Sequence, residues 1–295
     1  MNKLIAIVGT NASGKSSLGV ELAGRFDGEI VSADSRQVFK GLDLGSGKIT
    51  PEGMKGVPHH LLDVAEPGEF FSMADFQKCA YSAIDGIIAR GHVPFIVGGT
   101  GLYVDSVTKG YNLSEIVPDL GYREELETFS TPELWEMLQK LEPGSDIDPR
   151  NRNRVMRRLE KLRQGDTLKP QNNPRYDVLT LGVRWDRETL KRRIDERLER
   201  RVNEGMTDEV ARLRESGVPD EFLLKLGLEY RYVTQYLRGE WQSREEMLSE
   251  LSLAIKRFAK RQVTWFKKDQ SVIWLDMEHE PVLQASEIIK EFLEK

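Results

Sequence analysis

The sequence predicts an α/β fold, a parallel sheet flanked by helices that carries a small all-helical insertion. Three observations point there. Short apolar β-type runs alternate with helical patterns through the first hundred residues, so successive strands are joined by crossover helices and lie parallel. Strand signals then disappear between Pro118 and Gly165 and return at Val178–Val183. A glycine-rich turn follows the first strand and opens the first helix, at the edge where parallel sheets bind ligands.

In order, Leu4–Val8, Glu29–Ser32, His60–Val64 and Pro94–Val97 read as buried strands. Ser72–Arg90 has helical spacing of its apolar residues, with Ser72 as the cap and Gly91 as the stop. After Tyr111 the pattern becomes helical and is broken at Pro132, Pro143 and Pro149. Helices at Arg187–Asn203 and Arg244–Lys267 follow the returning strand. The division expected is a core of residues 1–115 and 172–295, interrupted by a helical insertion of residues 116–171.

Composition sets bounds on the function. Of the 295 residues, 39% are hydrophobic, enough for a sizeable core, and 31% are charged. A net charge of −5 opposes general attraction to nucleic acid and leaves only a local basic face. The lone cysteine, Cys79, has no disulfide partner within the chain, which suits a reducing cytoplasm; inside a helix it reads as a small core residue. The apolar run Leu4–Val8 is too short for a secretion signal, and no stretch approaches the roughly 18 apolar residues of a membrane span. His59 and His60, adjacent on a strand, point to opposite faces and make a poor metal pair. A monomer is expected.

Gly9-Thr10-Asn11-Ala12-Ser13-Gly14-Lys15-Ser16 fits G-x-x-x-x-G-K-[ST] at every fixed position, after a strand and before a helix. The glycines let successive backbone N–H groups curl toward phosphate oxygens, and the helix adds the positive end of its dipole. Lys15 can reach a terminal phosphate, and the Ser16 hydroxyl can coordinate magnesium. The fold class is therefore P-loop NTPase-like. The loop alone does not name a reaction.

Asp34 follows the second strand and heads Asp34-Ser35-Arg36-Gln37, on the same edge as the loop. General base, magnesium ligand and helix cap are all open to it, and Arg36 and Gln37 can contact an acceptor. Gly98-Gly99-Thr100-Gly101 is the matching turn after a later strand, with the Thr100 hydroxyl at its mouth. Between Arg150 and Arg163, the residues Arg150, Arg154, Arg157, Arg158 and Lys161 share one helical face against the single acid Glu160, which favours phosphate contact. Lys256, Arg257, Lys260, Arg261, Lys267 and Lys268 form a second basic cluster interleaved with Phe258, Trp265 and Phe266. Binding of nucleic acid through such patches should weaken steeply with salt.

Taken together, these segments resemble the tRNA dimethylallyltransferase (tRNA isopentenyltransferase) family. The likeness runs through Gly9–Ser16, Asp34–Gly45, Pro58-His59-His60-Leu61-Leu62-Asp63, Val97–Tyr103, Arg154–Glu160, Tyr230-Arg231 and Ala259–Phe266. It implies transfer of a five-carbon prenyl group from dimethylallyl diphosphate to the exocyclic amine of the adenosine at position 37 of tRNA, next to the anticodon. Pyrophosphate leaves. By resemblance, Gly9 to Ser16 would hold the diphosphate with Mg2+ at Ser16, and Asp34 would be the base. Thr100 and Arg231 would stand near the diphosphate and the reacting amine. The anticodon stem-loop would meet Asp34, Ser35, Arg36, Gln37, Thr100, Arg123, Arg154, Arg157, Lys256, Lys260, Arg261 and Gln262. The chain departs from the family at Thr10 and Asn11, and at Glu229, where a glycine is usual. A P-loop kinase of a small metabolite, a prenyltransferase acting on free adenine nucleotide and an RNA-binding NTPase are the competing readings. The basic helix favours tRNA over small acceptors.

Overall fold

The computed structural model describes residues 1–114, 116–168 and 171–295. They form two compact units, Met1–Gly110 with Pro174–Lys295, and Tyr111–Asn173. The smaller unit is closed at its base by a bridge between Tyr111 and Asn172 and by the Asn112 N–H donating to the Gln171 carbonyl at 2.9 Å. The change of unit therefore falls a few residues before 115/116 and just after 171/172.

The larger unit begins β1 (Asn2–Val8), α1 (Lys15–Arg25), β2 (Gly28–Ser32), α2 (Pro51–Met54), β3 (His59–His60), α3 (Met73–Ala89), β4 (Val93–Gly98) and α4 (Gly101–Thr108). The smaller unit holds α5 (Leu120–Glu127), α6 (Thr131–Leu141) and α7 (Arg152–Arg163). The larger unit resumes with β5 (Tyr176–Arg184), α8 (Arg187–Asn203), α9 (Met206–Glu215), α10 (Asp220–Leu226) and α11 (Leu228–Leu237). It ends with α12 (Arg244–Phe266), β6 (Ile273–Asp276) and α13 (Pro281–Glu294).

The sheet order is β3-β2-β4-β1-β5-β6, and every pairing is parallel. Alternation along β1 explains why both faces are covered. Leu4, Ala6 and Val8 join one core with α3, α4 and α12, whereas Ile5 and Ile7 join another with α1 and α13. Because β2, β4 and β1 are neighbours and end level, with Ser32 opposite Val97 and Val8 opposite Gly98, the loops that follow them emerge side by side. Gly14 turns the chain from loop to helix at φ 86, in the left-handed region where a side chain is strained.

Some elements differ from the sequence reading. The strand expected over His60–Val64 is confined to His59–His60, because Leu61 and Asp63 take left-handed backbone at φ 63 and 56. Pro132 does not break a helix. It lies in the first turn of α6, whose Ser130 and Glu133 form a reciprocal cap. Ser72 and Asp75 cap α3 in the same way. Strand β6 and helix α13 had no expectation, and neither did α9 to α11. Among the described residues no helix is long and apolar enough to cross a membrane.

In the smaller unit, Leu126, Leu134, Leu138, Val155 and Leu159 form the core. Glu160 lies fully buried beside them and accepts from Arg157 at 2.6 Å, from Arg123 at 3.0 Å and from the Asp119 N–H. Removing a buried carboxylate leaves its cations without a partner. Glu160→Ala should therefore destabilise this unit by about 3 kcal/mol, and amide exchange in α5 and α7 should accelerate correspondingly. Exchange at the unmodified rate would show that the pairs contribute nothing.

Candidate active site

The Gly9–Ser16 loop is folded by its own polar groups. The Thr10 carbonyl accepts from Ser13 Oγ at 2.8 Å and from Lys15 Nζ at 3.2 Å. Three side chains grip it from other elements. Trp185 Nε1 donates to the Ser13 carbonyl at 2.9 Å, Arg193 Nε donates to the Ala12 carbonyl at 2.9 Å, and Gln262 Oε1 accepts from the Asn11 N–H at 3.0 Å. The Arg193 guanidinium also lies over the Trp185 ring, 4.6 Å from its centre.

A cleft opens beside the loop, lined by Lys15, Ser16, Asp34, Gln37 and Arg197 among others. Asp34 is buried; its Oδ1 accepts from the Arg36 N–H at 3.0 Å and stands 3.4 Å from Arg36 Nε. Burial alone would raise its carboxyl pKa, but the Arg36 guanidinium, the Arg36 amide and Lys15 together hold it below the ordinary value. Asp34 is therefore ionised at neutral pH. The Thr100 hydroxyl accepts from the Ser35 N–H at 3.2 Å, which ties the turn after β4 to the Asp34 loop and leaves its proton free to donate. Gln37 accepts from Ser32 Oγ at 3.0 Å and donates to the Gly47 carbonyl at 3.3 Å.

Cations outnumber the carboxylates that pair with them. Arg36 Nη1 donates to Glu229 at 2.9 Å, and Arg201 Nη1 reaches the other oxygen of Glu229 at 3.4 Å. Lys15, Arg36, Arg197 and Arg201 thus share Asp34 and Glu229. Burial, reinforced by the Arg197 charge, pushes the Lys15 ammonium down to about 8. Burial and Arg201 likewise lower Arg197. Such a site favours a polyanion, which would restore charge balance.

Arg193, Arg197 and Arg201 lie at the loop, the cleft and the Glu229 pair, and the sequence reading missed them. They recur every fourth residue of α8, so they form one stripe facing the loop and cleft. The acids that made this helix look mixed pair elsewhere, Glu188 with Lys191, Glu196 with Arg192 and Glu204 with Arg200. A search for one cationic stripe, in place of a charge count, would have found it.

The structure gathers Lys15, Ser16, Asp34, Ser35, Gln37 and Thr100 at one edge, but not every expected residue. Arg231 is exposed, and its Nε donates to the Leu224 carbonyl at 2.8 Å. Glu229 is buried instead, and side chains two positions apart on a helix point about 200° apart, so Arg231 turns outward. Arg36 is enclosed between Asp34 and Glu229 and is not available to a macromolecule. Gln262 is buried rather than presented at the surface.

Most of the basic helix α7 is also spoken for. Arg152 donates to the carbonyls of Phe129 and Glu127, Arg157 and Arg123 bind Glu160, and Arg158 pairs with Glu142. Lys161 pairs with Asp166, Arg163 with Glu125 and Arg150 with Asp148. Among the described residues, the Arg154 side chain is exposed with no such partner. In α12, Lys256 pairs with Asp195 at 2.6 Å, while Arg257, Lys260 and Arg261 are exposed.

A parallel sheet with a G-x-x-x-x-G-K-S loop and an ionised aspartate at its carboxyl edge defines a P-loop NTPase-like enzyme whose pocket suits phosphate esters. A family model described as IPP transferase matches residues 37–269, and the chain belongs to that family. Among its relatives is a tRNA dimethylallyltransferase 1 of Geotalea uraniireducens, 41% identical over 97% of each chain. The solved tRNA isopentenylpyrophosphate transferase of Bacillus halodurans is 39% identical with a TM-score of 0.77, covering 100% of this chain and 97% of its own. That of Staphylococcus epidermidis is 34% identical with a TM-score of 0.73, covering 100% and 99%.

Lys15 sets a pH dependence. A bound polyanion favours the protonated ammonium, so above about pH 8 binding must take up a proton. Pyrophosphate affinity, referred to the Lys15→Met variant at each pH, should fall between about pH 7 and 9.5 by up to about tenfold per unit. Calorimetric titration across that range checks it, and a flat ratio would contradict it.

Proposed function

We propose that this chain transfers the dimethylallyl group of dimethylallyl diphosphate to the exocyclic amine of the adenosine at position 37 of tRNA, releasing pyrophosphate. The observation that carries the reading is the cation-rich cleft lined by Asp34, whose loop is tied to Thr100 through the Ser35 amide, in a chain whose relatives are named tRNA dimethylallyltransferases. The Gly9–Ser16 loop, Lys15 and Arg197 hold the diphosphate and balance the charge that develops as the bond between the prenyl carbon and oxygen breaks. The amine nitrogen forms the new bond to that carbon, and Asp34 takes the proton it sheds. The Thr100 hydroxyl, its oxygen fixed by the Ser35 amide, donates toward the diphosphate or the base.

In the unliganded protein Lys15 and Arg36 depress the basicity of Asp34. Diphosphate draws on the same cations, so the base strengthens as the donor binds. Mg2+ fits here: the Ser16 hydroxyl, a hard oxygen donor, lines the cleft beside the loop, and the ion would supply charge neutralisation to the leaving diphosphate.

The acceptor must leave the anticodon-loop stack to reach a buried carboxylate. Phosphate contacts are assigned to the exposed cations Arg154, Lys260 and Arg261, while Arg123 and Arg157, bound to Glu160, hold the helix that carries Arg154.

Purified protein given prenyl-labelled dimethylallyl diphosphate, magnesium and bulk tRNA should label the tRNA. Label on free adenine nucleotide alone, or ATP turnover without transfer, would overturn the reading. Asp34→Asn should bind tRNA normally yet lose about 10²–10⁴-fold in turnover. Arg154→Ala should reduce the salt slope of tRNA binding by about 1, measured by titration at several ionic strengths. An unchanged slope would move the phosphate contact elsewhere.

A further inference from the structure

We propose that Gln262 is a positioning residue for prenyl transfer, coupling the loop that holds the donor to the turn that carries Thr100. The inference rests on the transfer reading above and adds a residue to it.

The Gln262 side chain is 6% exposed on α12 and uses both ends of its amide. Its Oε1 accepts from the Asn11 N–H at 3.0 Å, and its Nε2 donates to the Gly99 carbonyl at 2.8 Å. Pairing between β1 and β4 stops at Val8 opposite Gly98. Beyond that point, among the described residues, no backbone hydrogen bond joins the two loops. Gln262 supplies the missing link at the height where the chemistry takes place.

Space has been made for it. A Cβ at Gly99 would stand 2.7 Å from Gln262 Nε2, so any larger residue there would displace the Gln262 amide. One helical turn later Trp265 Nε1 donates to Asp105 on α4 at 3.1 Å, so α12 is pinned to the helix that follows the turn. The path is then continuous. Asn11 bonds Gln262, Gln262 bonds Gly99, and the next residue, Thr100, accepts from the amide beside Asp34. An amide is the right group for this place. It offers an acceptor to an N–H and a donor to a carbonyl, and it adds no charge to a site already rich in cations. The motif Arg261-Gln262-Val263-Thr264-Trp265 thus divides its work, with Arg261 exposed and Gln262 and Trp265 turned inward.

Gln262→Met keeps the length and removes both bonds. Gln262→Glu keeps the acceptor for Asn11 and loses the donor to Gly99 until its carboxyl is protonated. The test measures the single-turnover rate at saturating tRNA and dimethylallyl diphosphate, together with the separate Kd of tRNA and of pyrophosphate. Gln262→Met should slow transfer by about tenfold to a hundredfold, with both Kd values within about twofold of the unmodified enzyme. For Gln262→Glu, the rate relative to the unmodified enzyme should rise as pH falls from about 8 to about 5.5, because the protonated carboxyl regains the donor. If Gln262→Met does not fold, that pH profile alone decides.

A weakened tRNA Kd with a normal single-turnover rate would make Gln262 a tRNA contact and overturn the proposal. Rates equal to the unmodified enzyme, or a flat Gln262→Glu ratio, would overturn it as well. The unmodified enzyme is the control: if it fails to label tRNA, the transfer reading fails, whereas transfer insensitive to Gln262 sinks the positioning role alone.

Discussion

The buried cations at the carboxyl edge of the sheet are the constraint on which the rest of the larger unit depends. Taking a cation out of water costs several kcal/mol even after relaxation, and that cost must be offset by carboxylates or by a ligand. Lys15, Arg36, Arg197 and Arg201 come from three separate elements, yet Asp34 and Glu229 are the carboxylates that bridge them. The cluster is thus only partly neutralised without an anion. A polyanion bound there would restore the balance.

The frame explains how such a cluster is tolerated. Parallel strands β2, β4 and β1 end level, so three loops converge without a long excursion by any of them. Backbone bonds from Ala33 to Val97 and from Thr100 to Ala33 tie two of them, and side chains fix the rest. Arg193 and Trp185 hold the Gly9–Ser16 loop from outside, and Thr100 holds the Asp34 loop. Glu209 accepts from the successive amides of Asp43, Leu44 and Gly45 and from the Tyr230 hydroxyl, which settles the segment leading to Gly47. The same segment gives its Gly47 carbonyl to Gln37 and Arg197.

What the sequence disclosed follows from how local each signal is. The Gly9–Ser16 loop was legible because its chemistry lies in eight consecutive residues flanked by a strand and a helix. Asp34 was legible because strand ends in a parallel sheet share one edge. The arginine stripe of α8 was hidden by the acids interspersed with it, Glu188, Glu196 and Glu204, which pair with Lys191, Arg192 and Arg200. The basic helix α7 misled for the converse reason. Its counter-charges, Glu142, Asp148, Glu125 and Asp166, lie outside the window in which acids were sought. Resemblance alone puts Arg231 at the reaction centre, but helical geometry sends Glu229 inward and Arg231 out. Four-residue β6 was too short to show a period.

The most direct test of the account is whether the cleft requires a polyanion. Melting temperature should be measured with inorganic pyrophosphate and with sulfate at matched ionic strength, for the unmodified chain and for Arg197→Ala. At about a hundredfold excess over its Kd, pyrophosphate should raise the midpoint of the unmodified chain by about 5–10 °C. Sulfate should do far less, and Arg197→Ala should lose most of the pyrophosphate gain. Equal small shifts with both anions, or an undiminished gain in Arg197→Ala, would contradict the account.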